Sequence, residues 1–156
     1  MHFVKLDGLN GELIWGLPIP CRTIINGSKR FEGGMFATPL LGRGDCKELI
    51  FINICDHKPA LSGFTAAVNR NSGQIVWQTR LKHYAWSSPL AFCNEGNKMY
   101  LCVADCRGNI YLMDAKSGDI IFSRHIGNNF EASGIVIDDY IVIPSRGNQI
   151  FKLRVK

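Results

Sequence analysis

Val68-Asn69-Arg70-Asn71-Ser72-Gly73-Gln74-Ile75-Val76-Trp77 is the stretch on which the fold turns. Two others align with it without a gap: Leu6-Asp7-Gly8-Leu9-Asn10-Gly11-Glu12-Leu13-Ile14-Trp15, and Met113-Asp114-Ala115-Lys116-Ser117-Gly118-Asp119-Ile120-Ile121-Phe122. In each, an Asp or Asn opens a turn, because its side chain accepts hydrogen bonds from amides two or three residues on. The glycine supplies the positive φ that closes such a hairpin with a bulge. The alternating apolar residues after it read as a strand buried on one face and ending in an aromatic. Gly73 and Gly118 stand 45 residues apart.

Two further elements repeat in phase. Ala37-Thr38-Pro39-Leu40, Ser87-Ser88-Pro89-Leu90 and Ala132-Ser133-Gly134-Ile135 each lead into a short apolar strand, and Pro89 and Gly134 are again 45 residues apart. Asp105-Cys106-Arg107-Gly108-Asn109-Ile110-Tyr111 is echoed by Ser145-Arg146-Gly147-Asn148-Gln149-Ile150-Phe151. A period of this length with four short strands per repeat is the signature of a β-propeller blade. The predicted fold class is all-β: four-stranded antiparallel blades, two complete and two partial. The segments run 1–20 (partial blade), 30–82 (blade), 83–127 (blade) and 128–156 (partial blade). Strands are expected at Phe3–Leu6 and Glu12–Leu17; at Ala37–Leu41, Leu49–Ile54, Thr65–Asn69 and Ile75–Arg80; at Ser88–Phe92, Met99–Ala104, Ile110–Asp114 and Ile120–Arg124; and at Ser133–Ile137, Tyr140–Ile143 and Gln149–Val155. No helical periodicity competes. Propellers close with about four to eight blades, so the chain reads as the C-terminal part of a larger ring, or as a unit that self-associates. Its open sheet edges favour association.

Composition narrows the function classes. A net charge of +5 is modest, and the one basic cluster, Lys152, Arg154 and Lys156, alternates along a strand face. Nucleic-acid binding calls for a basic patch with stacking aromatics, so no nucleic-acid partner is expected. No apolar run approaches the roughly 18 residues of a membrane span, and no transmembrane segment or signal peptide is read here. The six cysteines, Cys21, Cys46, Cys55, Cys93, Cys102 and Cys106, show no paired zinc spacing and read as reduced thiols, several of them buried. His2, His57, His83 and His125 have no ligand spacing, so no metal site is expected. Ser87 and Ser88 lie outside any G-x-S-x-G elbow, and no catalytic residue is assigned. Asp7, Asn69 and Asp114 are accounted for by turn capping.

The three Asp/Asn-x-x-[Ser/Asn]-Gly-x-[Leu/Ile]-[Ile/Val]-aromatic copies resemble the repeat of the quinoprotein-like propeller superfamily, in which L-D-x-x-T-G runs on into x-x-x-W. Trp86-Ser87-Ser88-Pro89 and Gly108-Asn109-Ile110-Tyr111-Leu112-Met113-Asp114 are similar to its W-S-S-P and G-x-L-Y-A-L-D elements. The resemblance covers nearly the whole chain and is nearest to bacterial proteins with pyrroloquinoline-quinone-like repeats. It implies tryptophans that dock neighbouring blades, a role matched by Trp15 and Trp77, with Phe122 making a weaker third contact. The superfamily holds quinone-dependent alcohol and glucose dehydrogenases, a lipoprotein that helps assemble outer-membrane barrels, and sensor or adhesion domains, so fold does not settle function. Pyrroloquinoline quinone with calcium is implied only for a dehydrogenase. The adjacent cysteines that those dehydrogenases place over the quinone have no counterpart in this sequence, so no cofactor is expected in this segment. The family leans extracytoplasmic; unpaired cysteines lean cytoplasmic.

In such a ring, the loops before the innermost strand and between the second and third strands form one face. That face is expected to carry Asp56, His57, Lys58, His83, Tyr84 and Trp86, joined by Asp105, Arg107, Asn129, Glu131, Arg146 and Asn148. Trp86 and Glu131 lie three residues before Pro89 and Gly134, and Arg107 and Arg146 one residue before Gly108 and Gly147. Repeating positions converge on the axis, so an aromatic, a carboxylate and two guanidiniums are placed to face one pocket, and Arg forks suit carboxylate or phosphate groups. The competing reading makes the arginines turn residues that pair with Asp105 or Glu131 in interblade salt bridges. Two functions follow. One is a non-catalytic binding or scaffold module for a protein, peptide or glycan. The other is a fragment of a quinone-dependent alcohol or sugar dehydrogenase with its catalytic residues in other blades.

Overall fold

The structure, a computed structural model, describes residues 1–31, 33–56 and 61–155. His57, Lys58 and Lys156 lie outside the described residues. The chain opens with β1 (His2–Leu6) paired to β2 (Leu13–Pro18), followed by a small hairpin of β3 (Ile24–Asn26) and β4 (Lys29–Phe31). The first four-stranded sheet is β5 (Leu40–Leu41), β6 (Leu49–Cys55), β7 (Gly63–Asn69) and β8 (Ile75–Leu81). The second is β9 (Leu90–Cys93), β10 (Met99–Ala104), β11 (Asn109–Asp114) and β12 (Ile120–His125). A three-stranded sheet of β13 (Ile135–Ile137), β14 (Tyr140–Ser145) and β15 (Gln149–Arg154) follows. Strands in each sheet are ordered as in the chain and pair antiparallel, as propeller blades do.

The three aligned turns have one geometry. Asp7 Oδ1 accepts from the amides of Leu9 and Asn10 at 2.8 and 3.3 Å. Asn69 Oδ1 takes Asn71 and Ser72 at 2.9 and 3.0 Å, and Asp114 Oδ1 takes Lys116 and Ser117 at 2.9 and 3.2 Å. Gly11, Gly73 and Gly118 follow at φ +76, +74 and +80, where a side chain is strained. A bulge falls at the same step each time, after Lys5, Ala67 and Leu112.

The inner strands are shorter than the sequence suggests. Pairing begins at Leu40, Leu90 and Ile135 rather than at Ala37, Ser88 and Ser133. Pro39 and Pro89 have no amide hydrogen and cannot enter a ladder. The residues before them bond across blades instead: the Thr38 amide donates to Ser88 Oγ at 3.0 Å, and the Ser88 amide to Ser133 Oγ at 2.9 Å. The β3–β4 hairpin was not expected. Its signal is Asn26-Gly27, a hairpin dipeptide, with Gly27 at φ +61.

Blades stack face to face, so central strands are buried on both sides while β1 alternates between half-buried and exposed. Ile50, Ile52 and Ile54 of β6 pack with Phe3, Trp15 and Leu17 of the first blade. Leu49 and Phe51 point the other way, to Leu101, Val103 and Tyr111 of the next. A third layer joins Cys102 and Ile110 to Ile141, Ile143 and Phe151. Each fully buried Ile or Phe contributes roughly 1.5–3 kcal/mol.

Trp15 and Trp77 sit at the first two seams. The Trp15 indole N–H donates to the Arg70 carbonyl at 3.1 Å, and that of Trp77 to the Ala115 carbonyl at 3.0 Å. Each ring lies on the turn glycine of the next blade: a Cβ on Gly73 would come within 2.7 Å of Trp15 Cδ2, and one on Gly118 within 2.5 Å of Trp77 Cδ2. Phe122 stays 52% exposed and has no N–H to donate.

Candidate functional site at the loop face

The loop face is built from the segments that enter the inner strands and the turns after β6, β10 and β14. Phe36 lies three residues before Pro39, the register shared by Trp86 and Glu131, and sequence reasoning passed over it. Its ring meets Trp86 edge-on at 6.3 Å, and Trp86 in turn lies 5.1 Å from Tyr84. Phe36 is 55% exposed and Trp86 half-buried. Its sequence signal is the three-residue offset before Pro39, the same offset that places Trp86 and Glu131.

Tyr84 is not a surface group. It is buried against Cys55 and Cys106, with Leu61 and Trp86 packed around them. Its amide donates to the Leu61 carbonyl and its own carbonyl accepts from Cys106, both at 2.9 Å, which ties this connection to both neighbouring blades. Burial, reinforced by Cys106, pushes the Tyr84 phenol well above its ordinary range. Burial likewise pushes Cys55 up to about 12 and Cys106 up to about 11, the latter partly offset by a hydrogen bond from Tyr84. Thiols held protonated in this way are poor nucleophiles.

Asp105 also turns inward. It is fully buried, and its carboxylate accepts from the Arg107 and Asn109 amides, Asn109 Nδ2 and Tyr111 Oη at 2.8–3.0 Å. Four donors engage both oxygens, so this side chain holds the turn and presents nothing to a ligand. The Asp-x-x-Gly spacing fits turn capping as well as exposure, and the sequence alone did not separate the two.

Glu131 and Arg146 meet within the last blade. Arg146 Nε lies 2.8 Å from Glu131 Oε2, and Asn129 Nδ2 donates to Glu131 Oε1 at 2.7 Å. This is an ion pair inside one blade rather than between blades. Arg107 is exposed and forms no ion pair among the described residues; its charge is felt at Tyr84. Asn148 stands in the left-handed region at φ +61. Asp56 is buried between Arg80, at 3.4 Å, and Arg22, at 3.9 Å. His83 is half-buried, and its Nδ1 has no partner among the described residues.

The structure therefore brings Tyr84 and Trp86 together with the unforeseen Phe36 in one aromatic cluster, with Arg107 electrostatically linked to it, and joins Asn129, Glu131 and Arg146 in a second network. Among the described residues no three His, Cys, Asp or Glu side chains are arranged to hold a metal, and no helix is long and apolar enough to cross a membrane.

By sequence the chain matches no family model and no curated protein. By structure it is similar to BamB from Moraxella catarrhalis, with TM-score 0.62 and 19% identity over 98% of this chain and 40% of that one. It is also similar to a europium-containing methanol dehydrogenase, with TM-score 0.54 and 14% identity over 88% of this chain and 34% of that one. The chain thus spans well under half the length of either neighbour.

Proposed function

This chain has the fold of a quinoprotein-like β-propeller stretch, and on that premise we propose that it is a non-catalytic binding or scaffold module whose loop face takes a protein or peptide segment. One observation carries the reading: an exposed Phe36 and a half-buried Trp86 stand in contact over Tyr84, where the charge of the exposed Arg107 is felt. Aromatics and arginine are the residue types that dominate interface hot spots. The groups beneath them are internally bonded, through Asp105 and the Tyr84 backbone, so the face is pre-organised and loses little entropy on binding.

A calcium-bound quinone needs free oxygen ligands and an open stacking surface. Here the Asp105 oxygens are taken by four donors and the Glu131 oxygens by Asn129 and Arg146, while Trp86 is flanked by Phe36 and Tyr84. These residues do not fit that pair, and no quinone chemistry is derived from them.

The test is affinity capture on the immobilised chain, followed by cross-linking and direct titration of the captured protein. Phe36→Ala and Arg107→Ala are each expected to weaken binding about tenfold or more with unchanged far-ultraviolet circular dichroism. Equal binding by both variants would remove the loop face from the reading. Dye-linked alcohol or sugar oxidation on adding pyrroloquinoline quinone and calcium would replace it with the dehydrogenase.

A further inference from the structure

The sequence holds two Asn-Gly steps, Asn10-Gly11 and Asn26-Gly27, and the fold treats them differently. Both asparagines are exposed, and a Cβ on either glycine would meet nothing within 4 Å, so both steps stand open to water. At Asn10 the groups are held. The Gly11 amide donates to the Asp7 carbonyl at 2.9 Å, Asn10 Oδ1 accepts from the Glu12 amide at 2.9 Å, and Asn10 Nδ2 donates to Glu12 Oε2 at 3.1 Å. The strands on either side are anchored through Phe3, Trp15 and Leu17. At Asn26 nothing comparable is present. Asn26 pairs with Lys29 across a two-residue turn, which leaves the Gly27 amide outside the ladder. Among the described residues neither the Gly27 N–H nor the Asn26 carboxamide has a hydrogen-bond partner. β3 and β4 are three residues each, join no third strand, and leave Ile25, Asn26, Lys29 and Arg30 exposed. A lone two-stranded hairpin is marginally stable in water, so Asn26 is free to swing its side chain over the next peptide bond.

An Asn-Gly step carries its own electrophile and nucleophile, and glycine has no Cβ to crowd the attack. The Gly27 nitrogen gives its proton to hydroxide or a buffer base and attacks Asn26 Cγ. A C–N bond forms, closing a five-membered imide, and Nδ2 takes up protons and leaves as ammonia. Water then opens the ring. Cleavage of the new Cγ–N bond yields aspartate; cleavage of the original peptide C–N bond yields isoaspartate, with the chain routed through Cγ. We propose that Asn26 is a self-modification site, a deamidating asparagine that the fold leaves reactive while it shields Asn10. Both products replace a neutral carboxamide with a carboxylate, which lowers the net charge by one from +5. Isoaspartate also adds a methylene to the backbone opposite Lys29, one atom too many for the Asn26–Lys29 register. Asn10 must first release the Gly11 amide from Asp7, and the loss of one such hydrogen bond slows a step about tenfold.

Phe36, Trp86 and Arg107 take no part in this step, so it holds whatever the loop face binds. The intact chain is incubated in mildly alkaline buffer, sampled over days, digested, and its peptides resolved by mass spectrometry. Isoaspartate is counted separately, by carboxyl methylation with an isoaspartyl methyltransferase and labelled S-adenosylmethionine. Asn26 is expected to lose its amide about tenfold faster than Asn10, giving both aspartate and isoaspartate. The same incubation in concentrated urea keeps the sequence and removes the fold, and there the two rates should converge. Asn26→Gln, whose longer side chain would have to close a six-membered ring, should keep its amide and leave the Asn10 rate unchanged. Equal rates in the folded chain, or faster loss at Asn10, overturn the proposal. So does a difference that persists unchanged in urea, because the neighbouring sequence rather than the fold would then set it.

Discussion

The seam between the second and third blades and the seam between the third and fourth are written in the same repeat, yet they are packed differently. At the former, Trp77 lies on Gly118 with its N–H on the Ala115 carbonyl, and Thr79 Oγ1 donates to the Gly118 carbonyl at 2.6 Å. At the latter, Phe122 takes the tryptophan's place, and an apolar groove of about 320 Å³ runs past it, walled by Leu112, Ile126, Ile141 and Leu153. Arg154 of β15 pairs with Tyr140 as Asp114 pairs with Tyr100, and so occupies the slot that Asp114 holds in the preceding blade. A seam of this kind is thus a joint product of an indole, a capped turn and a glycine.

The sharpest way to break that comparison is to remove the aromatic at each seam. Trp77→Ala should cost about 3–5 kcal/mol, enough to unfold the chain or lower its melting temperature steeply. Phe122→Ala should cost about 1 kcal/mol, because half of that ring already faces water. Trp86→Ala, on the loop face, should fall far below Trp77→Ala as well. Urea titrations followed by circular dichroism read all three, and equal losses at Trp77 and Phe122 would refute the account of the seams.

The glycines sharpen it at the next level. Gly11 and Gly118 have nearly the same φ, but a Cβ meets nothing within 4 Å on Gly11 and strikes the Trp77 ring on Gly118. Gly11→Ala should therefore cost only the left-handed strain, about 1–2 kcal/mol. Gly118→Ala should cost about 3 kcal/mol, since the indole is displaced as well. Equal costs would mean that the ring does not rest on the turn.

The smallest effect is electrostatic. Burial pushes the Asp114 carboxyl up, but the Lys98 ammonium at 2.7 Å and the Ser117 and Lys116 amides outweigh it, and its pKa ends below the ordinary carboxylate value. A depressed folded-state pKa stabilises above the unfolded value and is lost as pH falls through the folded one. Asp114→Asn should be slightly less stable than the parent at neutral pH, the difference closing as pH falls below about 4. A steeper acid loss in the variant would contradict the pairing.

What was legible in the sequence follows from which interactions are local. Asp7, Asn69 and Asp114 bond to amides two and three residues away, so their turns, their glycines and the bulged strands after them could be read directly. Blade order followed from the 45-residue period. Burial across seams is not local. Asp105 looked like a rim carboxylate until Tyr111 and Asn109 were seen to close over it, and Tyr84 looked like a rim aromatic until Cys55 and Cys106 enclosed it. The β3–β4 hairpin is the exception, since Asn26-Gly27 carried its signal in plain view.

The hydroxyl chain at the inner strands has a consequence for how such molecules change size. Each blade donates a backbone amide forward, from Thr38 to Ser88 and from Ser88 to Ser133, and offers a hydroxyl backward. Both of these junctions have one donor end and one acceptor end, like the stud and socket of identical bricks. A unit duplicated or excised between equivalent serines restores the same bond at the new junction with no compensating substitution. Replacing Ser88 by alanine therefore leaves the unpaired amide in the preceding blade, at Thr38, rather than in its own.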